Sequence, residues 1–294
     1  MAVRRISLAS LLGLAAVLGG PPPVGADGHP LLVDARWLAG RLADSRVRIV
    51  DMVTEPEEYR KGHIPGAVYL NVNDSRIAVP SGGYRLPTHD EGVRLLGRLG
   101  IGPDTEVVIY DDAGGLHASR LFFTLEVFGH RRAAILDGGA QAWRRAGLGV
   151  TRDLPVIRAA GYVPALRADR VASAEQLLSR LNDPSLAVVD ARTSAEYSGR
   201  ELRARRGGHI PGAVNVDWTE HLRPDGTFKP LAALRTLYVA RGITPDKTVV
   251  TYCQTQHRAS HSYFVLRLLG YPHVVGYDRS WSEWGNREDL PITR

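Results

Sequence analysis

The chain contains one six-residue motif twice, as Gly62-His63-Ile64-Pro65-Gly66-Ala67 and as Gly208-His209-Ile210-Pro211-Gly212-Ala213. Each copy follows an apolar run that ends in Val-Asp, at Val50-Asp51 in the first half and at Val189-Asp190 in the second. Both halves also close with an aspartate and a tryptophan six residues apart, namely Asp137 with Trp143 and Asp278 with Trp284. A repeat that covers about half of the chain indicates two duplicated domains.

Each half alternates short apolar runs with amphipathic stretches. In the second half the apolar runs predict buried strands at residues 186–190, 248–252 and 274–277. The amphipathic stretches predict helices at residues 173–181, 231–241 and 259–269. This alternation predicts an α/β fold of two tandem domains, each a parallel sheet flanked by helices. The predicted segments are an N-terminal domain, a linker without clear periodicity and a C-terminal domain, at residues 27–150, 151–165 and 166–294.

The composition is that of a globular protein, and its 294 residues are enough for two domains. A hydrophobic fraction of 44% argues against disorder, and a net charge of +6 favours small anionic substrates. The sequence has no nucleic-acid-binding motif, so we expect small molecules and not nucleic acid as partners. It also has no cysteine and histidine cluster at zinc spacing and no nucleotide-binding glycine motif, so we expect no metal and no organic cofactor.

Residues 1–26 are typical of an export signal. A basic pair, Arg4-Arg5, precedes an apolar stretch at residues 6–20 that is too short to span a bilayer, and small residues at 24–26 offer a cleavage site. We therefore expect an exported protein, periplasmic or extracellular, that is not held in the membrane after cleavage. The choice between the general and the twin-arginine export route stays open.

The chain has a single cysteine, Cys253, which lies between a predicted strand and a predicted helix. A lone cysteine is most often a small buried hydrophobic residue. Here polar residues follow it, in the run Gln254-Thr255-Gln256-His257-Arg258, which favours a reactive thiol. Loop N–H groups and the start of a helix stabilise a sulfur anion at such a position, and Arg258 adds a cation.

Taken together, these motifs resemble the tandem-domain rhodaneses, the family of thiosulfate and 3-mercaptopyruvate sulfurtransferases. The resemblance implies that the C-terminal domain is catalytic and that the N-terminal domain is silent, since Asp111 stands where the second half has Cys253. It implies that Cys253 carries a persulfide during the reaction and that Arg258 assists it. The residues that it places around the sulfur, as substrate-binding candidates, are Gln254, Thr255, Gln256 and His257.

The sequence departs from the family pattern at the donor site. The family has a donor-binding arginine six residues after the second Val-Asp, and this chain has Glu196 there. The candidates to replace that arginine are nearby, and Arg192 is the one that we expect to bind substrate; the others are Arg200, Arg203 and Arg205. Because the loop matches neither the thiosulfate type nor the mercaptopyruvate type, the donor stays open, with thiosulfate as first choice.

Two other functions compete with the sulfurtransferase interpretation. Phosphatases of this fold have five residues between the cysteine and the arginine, whereas four residues separate Cys253 from Arg258, which favours a sulfur-sized cavity. An exported persulfide carrier or sulfur sensor, loaded once and without turnover, is the second alternative. We expect the protein to be a monomer, because the two halves would bury each other's faces.

Overall fold

The computed structural model describes residues 28–162 and 164–294 of the chain. The predicted export signal, at residues 1–26, therefore lies outside the described residues. Among the helices of the described ranges, none is both long enough and apolar enough to cross a bilayer.

The first half forms a five-stranded parallel sheet and a two-stranded hairpin. Its strands are β1 (Leu32–Val33), β2 (Val47–Asp51), β3 (Val68–Tyr69), β4 (Ile77–Ala78), β5 (Tyr84–Arg85), β6 (Glu106–Tyr110) and β7 (Ala133–Leu136). Its helices are α1 (Ala35–Ala39), α2 (Pro56–Lys61), α3 (His89–Arg98), α4 (Leu116–Val127) and α5 (Gly139–Arg145). The sheet order is β1-β7-β6-β2-β3, and strands β4 and β5 pair antiparallel as the separate hairpin.

The second half repeats this plan with a four-stranded parallel sheet. Its strands are β8 (Leu186–Asp190), β9 (Val214–Asn215), β10 (Thr248–Tyr252) and β11 (Val274–Gly276), in the order β11-β10-β8-β9. Its helices are α6 (Ala174–Ser179), α7 (Ser194–Tyr197), α8 (Leu231–Val239), α9 (His257–Leu268) and α10 (Ser280–Trp284). The predicted fold class is confirmed, and the predicted strands 186–190 and 248–252 agree with β8 and β10.

The repeated Gly-His-Ile-Pro motif has the same structural contact in both halves. The ring of His63 stacks on Tyr59 with centroids 3.8 Å apart, and the ring of His209 stacks on Tyr197 at 3.7 Å. In each case the histidine Nδ1 lies 3.0 Å from the carbonyl oxygen of that same tyrosine. Because the contact is present in the half without a cysteine as well, it serves the fold of each domain.

The two halves share one hydrophobic core across their interface. Helices α4 and α9, which are the helices that follow β6 and β10, pack against each other there. Their aromatic side chains meet edge to face, Phe122 with Phe264 and Phe123 with Tyr263, with ring centroids 4.9 Å apart in both pairs. Such pairs add directional attraction to the burial of apolar surface, so the interface holds the starts of α4 and α9 in fixed relation.

Each half also reaches over to close the other half. After the β4–β5 hairpin, the backbone N–H of Leu86 donates to Asp278 Oδ2 of the second half at 2.6 Å. In the opposite direction, the N–H of Phe228 donates to Asp137 Oδ1 of the first half at 2.9 Å. These are the two aspartates of the repeated Asp and Trp pattern. Each domain therefore supplies part of the surroundings of its partner's strand-to-helix loop.

Candidate active site

Cys253 lies at the carboxyl end of β10, in the loop that leads into α9. We call residues 253–256 the cysteine loop. Strand β10 is paired with β8 up to Tyr252 and Asp190, so the loop leaves the sheet where ligands of parallel sheets bind. The loop ends at Gln256, which has a left-handed backbone (φ +56°) and lets the chain turn into the helix. The Cys253 side chain is buried, with 1% of its surface exposed.

Ser280 clamps the cysteine loop from α10. Its hydroxyl accepts the N–H groups of Cys253 (3.3 Å) and Gln256 (3.0 Å) and donates to the carbonyl oxygen of Tyr277 (2.7 Å). Ser280 is itself left-handed, with φ +51°, a conformation that costs free energy in a residue other than glycine. Its counterpart in the first half is Gly139, with φ +52°. Ser280 was not among the residues that we predicted from the sequence; the replacement of a repeat glycine by serine is the signal that points to it.

The sulfur accepts a hydrogen bond from the backbone of its own loop. The N–H of Thr255 points at Cys253 Sγ at 3.4 Å, and the first N–H groups of α9 have no partner within the helix. The side chains of the flanking glutamines are engaged elsewhere. Gln254 Nε2 donates to the carbonyl oxygen of Arg203 at 2.9 Å, and the buried Gln256 amide bonds Thr251 and Tyr277. The donor at the thiol is therefore a main-chain N–H, that of Thr255, and not one of these side chains.

Arg258 and Glu196 form a bidentate ion pair. The two terminal nitrogens of Arg258 lie 2.6 and 2.8 Å from the two carboxylate oxygens of Glu196, which is 1% exposed. Glu196 also completes the capping box of α7 with Thr193, which fixes its backbone. Burial raises the pKa of Glu196, but the bonds from Arg258 and Thr193 outweigh it and lower that pKa to about 2. Arg258 is thus charged, and its charge is balanced by a carboxylate.

The first half carries an anion of its own at the equivalent place. The Asp111 carboxylate follows β6 and accepts four backbone N–H groups, at 2.8 to 2.9 Å, from Ala113, Gly115, His117 and Ala118. We call residues 111–115 the aspartate loop. The N–H groups of this loop are therefore already bonded to a side chain of the protein, and a carboxylate cannot accept a sulfur atom.

A family model of the rhodanese-like domain matches the chain twice, at residues 34–146 and 173–287. The chain belongs to the rhodanese family. The first match covers every strand of the first sheet except β1, and the second covers the whole second sheet. Both halves are therefore rhodanese-like domains, and the predicted family is confirmed.

Several rhodanese relatives match nearly the whole chain. The thiosulfate sulfurtransferase of Azotobacter vinelandii is 38% identical over 263 residues, covering 90% of this chain and 97% of the relative. The sulfur carrier protein TtuD of Thermus thermophilus is 38% identical over 281 residues, covering 90% and 98%. The crystal structure of SseA from Escherichia coli, described as a 3-mercaptopyruvate sulfotransferase, superposes with a TM-score of 0.76 at 28% identity, covering 86% of this chain and 99% of that one.

We predicted that Arg192 binds substrate, but in this rhodanese its guanidinium is bonded to groups of the protein itself. Its Nε donates to both oxygens of Asp190 at 2.9 and 3.0 Å, and its Nη2 donates to the carbonyl oxygen of Gly208 at 2.8 Å. The guanidinium is 1% exposed and lies 4.5 Å from the ring of Trp281. These contacts tie the end of β8 to the Gly-His-Ile-Pro turn and leave the guanidinium no access to a substrate.

His257 joins the two rhodanese domains through a hydrogen-bonded chain. Arg76 Nη1 lies 3.2 Å from His257 Nδ1, His257 Nε2 lies 3.0 Å from His117 Nδ1, and His117 Nε2 lies 3.2 Å from Thr54 Oγ1. Thr54 in turn donates to Asp112 at 2.8 Å. Arginine can only donate, so His257 accepts at Nδ1 and donates at Nε2. Burial lowers the pKa of His257 well below its ordinary value, which agrees with a neutral ring.

The sequence did not single out the N-terminal residues at this site. Arg76 and His117 contact His257, and the fully buried Arg120 pairs with Asp278 at 2.9 Å. They lie more than a hundred positions away from their partners, and no local pattern connects them. Among the described residues, no cluster of three or more cysteine, histidine or acidic side chains could hold a metal ion.

Proposed function

We propose that this rhodanese is a sulfurtransferase that moves a sulfur atom from a small donor to a thiophilic acceptor through a persulfide on Cys253. The observation that carries the proposal is the position of Cys253 Sγ, at the end of β10 and under the N–H of Thr255. Clamps on both sides, from Ser280 and from the Arg258–Glu196 pair, hold the loop in this shape before substrate arrives. Such preorganised donors stabilise charge without rearrangement during the reaction.

The reaction has two steps. In the first, the Cys253 thiolate attacks the outer sulfur of thiosulfate, the bond between the two donor sulfurs breaks, and sulfite leaves with the electron pair. In the second, an acceptor such as cyanide attacks the outer sulfur of the persulfide, thiocyanate leaves, and the thiolate is restored. The Thr255 N–H points at the sulfur, and α9 begins four residues after Cys253. Both stabilise the negative charge that the thiolate carries before the first step and the persulfide carries after it.

Thiosulfate is the donor that we favour, with 3-mercaptopyruvate as second choice. The carboxylate of Glu196 occupies the position at which the family resemblance expects a donor-binding arginine, and it lies within the pair with Arg258. A relative named thiosulfate sulfurtransferase is 38% identical to this chain, whereas the solved structure described as a 3-mercaptopyruvate enzyme is 28% identical. Both comparisons support sulfur transfer, and the first supports the choice of donor.

The test is steady-state sulfur transfer by residues 27–294, with cyanide as acceptor and with the two donors assayed side by side. We expect turnover with thiosulfate and a loss of at least about a thousandfold in the Cys253→Ser variant, which lacks the nucleophile. The control is the thermal unfolding of that variant, which should match the parent because serine is of nearly the same size.

Two outcomes would change the proposal. A gain of one sulfur atom on Cys253 without turnover would replace the enzyme by a sulfur carrier. Equal turnover in the parent and the Cys253→Ser variant, or neither turnover nor mass gain in the parent, would overturn the sulfur chemistry altogether.

A further inference from the structure

The catalytic domain does not offer its loop arginine as a free cation. Arg258 is held by both oxygens of Glu196, and Arg203 approaches the same carboxylate at 3.3 Å. A donor such as thiosulfate carries two negative charges. The buried carboxylate of Glu196 offsets part of the attraction that Arg258 exerts on such a donor. A cation that no carboxylate offsets has to be sought in another part of the site.

Arg76 of the N-terminal domain is such a cation. Its Nε and Nη2 donate to the neutral side-chain oxygen of Asn73 at 3.0 and 2.8 Å, and its Nη1 donates to His257 at 3.2 Å. Within the part of the chain that the structure describes, no carboxylate pairs with it. These contacts use three of the five N–H groups of a guanidinium and leave one on each terminal nitrogen.

Arg76 contacts the residue that directly follows the cysteine loop. Its partner His257 is the first residue of α9, directly after the cysteine loop. Burial lowers the pKa of Arg76, and Tyr84 acts against this effect. The guanidinium is half-buried, and its Cζ lies 4.1 Å from the ring centroid of Tyr84 on the β4–β5 hairpin, a cation–π contact.

The hairpin is fixed on the catalytic domain at three points. Arg279 donates to Ser81 Oγ at 3.2 Å, and the N–H of Leu86 donates to Asp278 at 2.6 Å. Between them, Gly83 has φ +79° and lies so close to Ser282 that a Cβ at this position would clash with the serine hydroxyl. Arg76, immediately before this hairpin, is therefore held in place before a donor binds.

We propose that Arg76 binds the anionic end of the sulfur donor, so that the N-terminal domain supplies the cation of the C-terminal active site. The inference rests on the proposed sulfur transfer and assigns its donor-binding residue. The two remaining N–H groups suit two oxygens of one anionic group, either the sulfonate-like end of thiosulfate or the carboxylate of 3-mercaptopyruvate. The domain without a cysteine is then part of the active site through this residue.

The test separates the two half-reactions by mass spectrometry of Cys253. Loading is measured with thiosulfate under single-turnover conditions, and unloading is measured with dithiothreitol, a neutral acceptor. We expect Arg76→Gln to slow loading by roughly 10- to 100-fold, the effect of losing a charged hydrogen bond, and to leave unloading within about twofold. The loading rate of Arg76→Lys should fall between those of the parent and Arg76→Gln, because lysine keeps the charge and loses the bidentate geometry.

Arg85→Gln is the matched control. Arg85 lies on the same hairpin but is paired with Glu91 at 2.7 Å, so its loss should leave both half-reactions within about twofold of the parent. Equal losses in loading and unloading for Arg76→Gln would show a merely structural role, and unchanged loading would also overturn the inference. If the glutamine variant does not fold, loading by the lysine variant at the parental rate overturns it.

The same experiment distinguishes the two levels of proposal. If the parent protein does not load sulfur, the proposed function fails and this inference fails with it. If the parent loads and Arg76→Gln loads equally fast, sulfur transfer stands and only the assignment of Arg76 is wrong.

Discussion

The aspartate loop and the cysteine loop are two versions of one structure. Both follow a buried strand, both end in a left-handed residue, Gly115 with φ +87° or Gln256 with φ +56°, and both lead into a helix at the domain interface. Each places an acidic group or thiol under backbone N–H groups. The comparison shows that the anion-binding loop is a property of the duplicated fold, whether or not it carries out chemistry.

The two loops differ in the atom that accepts their backbone N–H groups. Asp111 accepts four N–H groups through its own carboxylate, whereas the hydrogen bond found at Cys253 Sγ is that of Thr255. The aspartate loop is also longer, with five residues between Asp111 and His117 and four between Cys253 and Arg258. The first domain thus uses the loop for stability, and the second leaves room for a sulfur atom that arrives and departs.

The largest effect that this comparison predicts is on stability. Asp111→Ala should lower the free energy of unfolding by about 3 kcal/mol, because four N–H groups lose a charged acceptor and some stay buried without a partner. Urea denaturation measures this loss. The matched control is Cys253→Ala, which should cost only about 1 kcal/mol because a small buried side chain is shortened. Similar losses in the two variants would contradict the contrast drawn between the loops.

The second prediction concerns Glu196 and pH. The pKa of Glu196 is lowered to about 2, so its charged form stabilises the fold fully above its ordinary pKa, and this stabilisation is lost as the pH falls toward 2. Glu196→Gln should therefore cost about 2 kcal/mol at pH 7, and the difference from the parent should vanish toward pH 2.

Unfolding by urea across this pH range tests the prediction. Glu201→Gln is the control, since Glu201 also pairs with Arg203 but is exposed, and it should change stability by less than about 0.5 kcal/mol at any pH. A Glu196→Gln penalty that does not vary with pH would mean that the loss is one of packing and not of charge.

The smallest predicted change in stability is at Gly115, the left-handed residue that ends the aspartate loop. Gly115→Ala should cost about 1 to 2 kcal/mol, because alanine resists a positive φ and its Cβ would lie 3.1 Å from Phe228 Cζ. Gly97→Ala, in helix α3, provides the contrast and should be neutral or stabilising by up to about 1 kcal/mol. Thermal unfolding of both variants compares them, and a neutral Gly115→Ala would show that this turn is not strained.

Much of the fold could be predicted from the sequence because its signals are local. The apolar runs at 186–190 and 248–252 form β8 and β10 with the predicted bounds. Strands of a parallel sheet are buried on both faces, so a short continuous apolar run is their local signal. Helix ends were less accurate: the helix expected at 259–269 begins at His257. A left-handed Gln256 turns the chain earlier than the apolar pattern indicates.

The candidate site was predictable only in part. Cys253 and its loop are contiguous in sequence, and Glu196 stood out as a departure from the family pattern. Its pairing with Arg258, 62 residues away, was not predictable, and neither was the burial of Arg192 on Asp190. An arginine is equally compatible with a substrate or with a carboxylate until the distances are known.

The duplication, the α/β fold of each half and the place of the single cysteine directly before a helix could all be predicted from the sequence. All three depend on residue type and on spacing over a few positions. Which charges balance one another could be seen only in the folded structure, where Arg76 lies next to His257 although 181 positions of chain separate them. Electrostatic attraction depends on distance in space, and folding sets that distance through the contacts between the two domains.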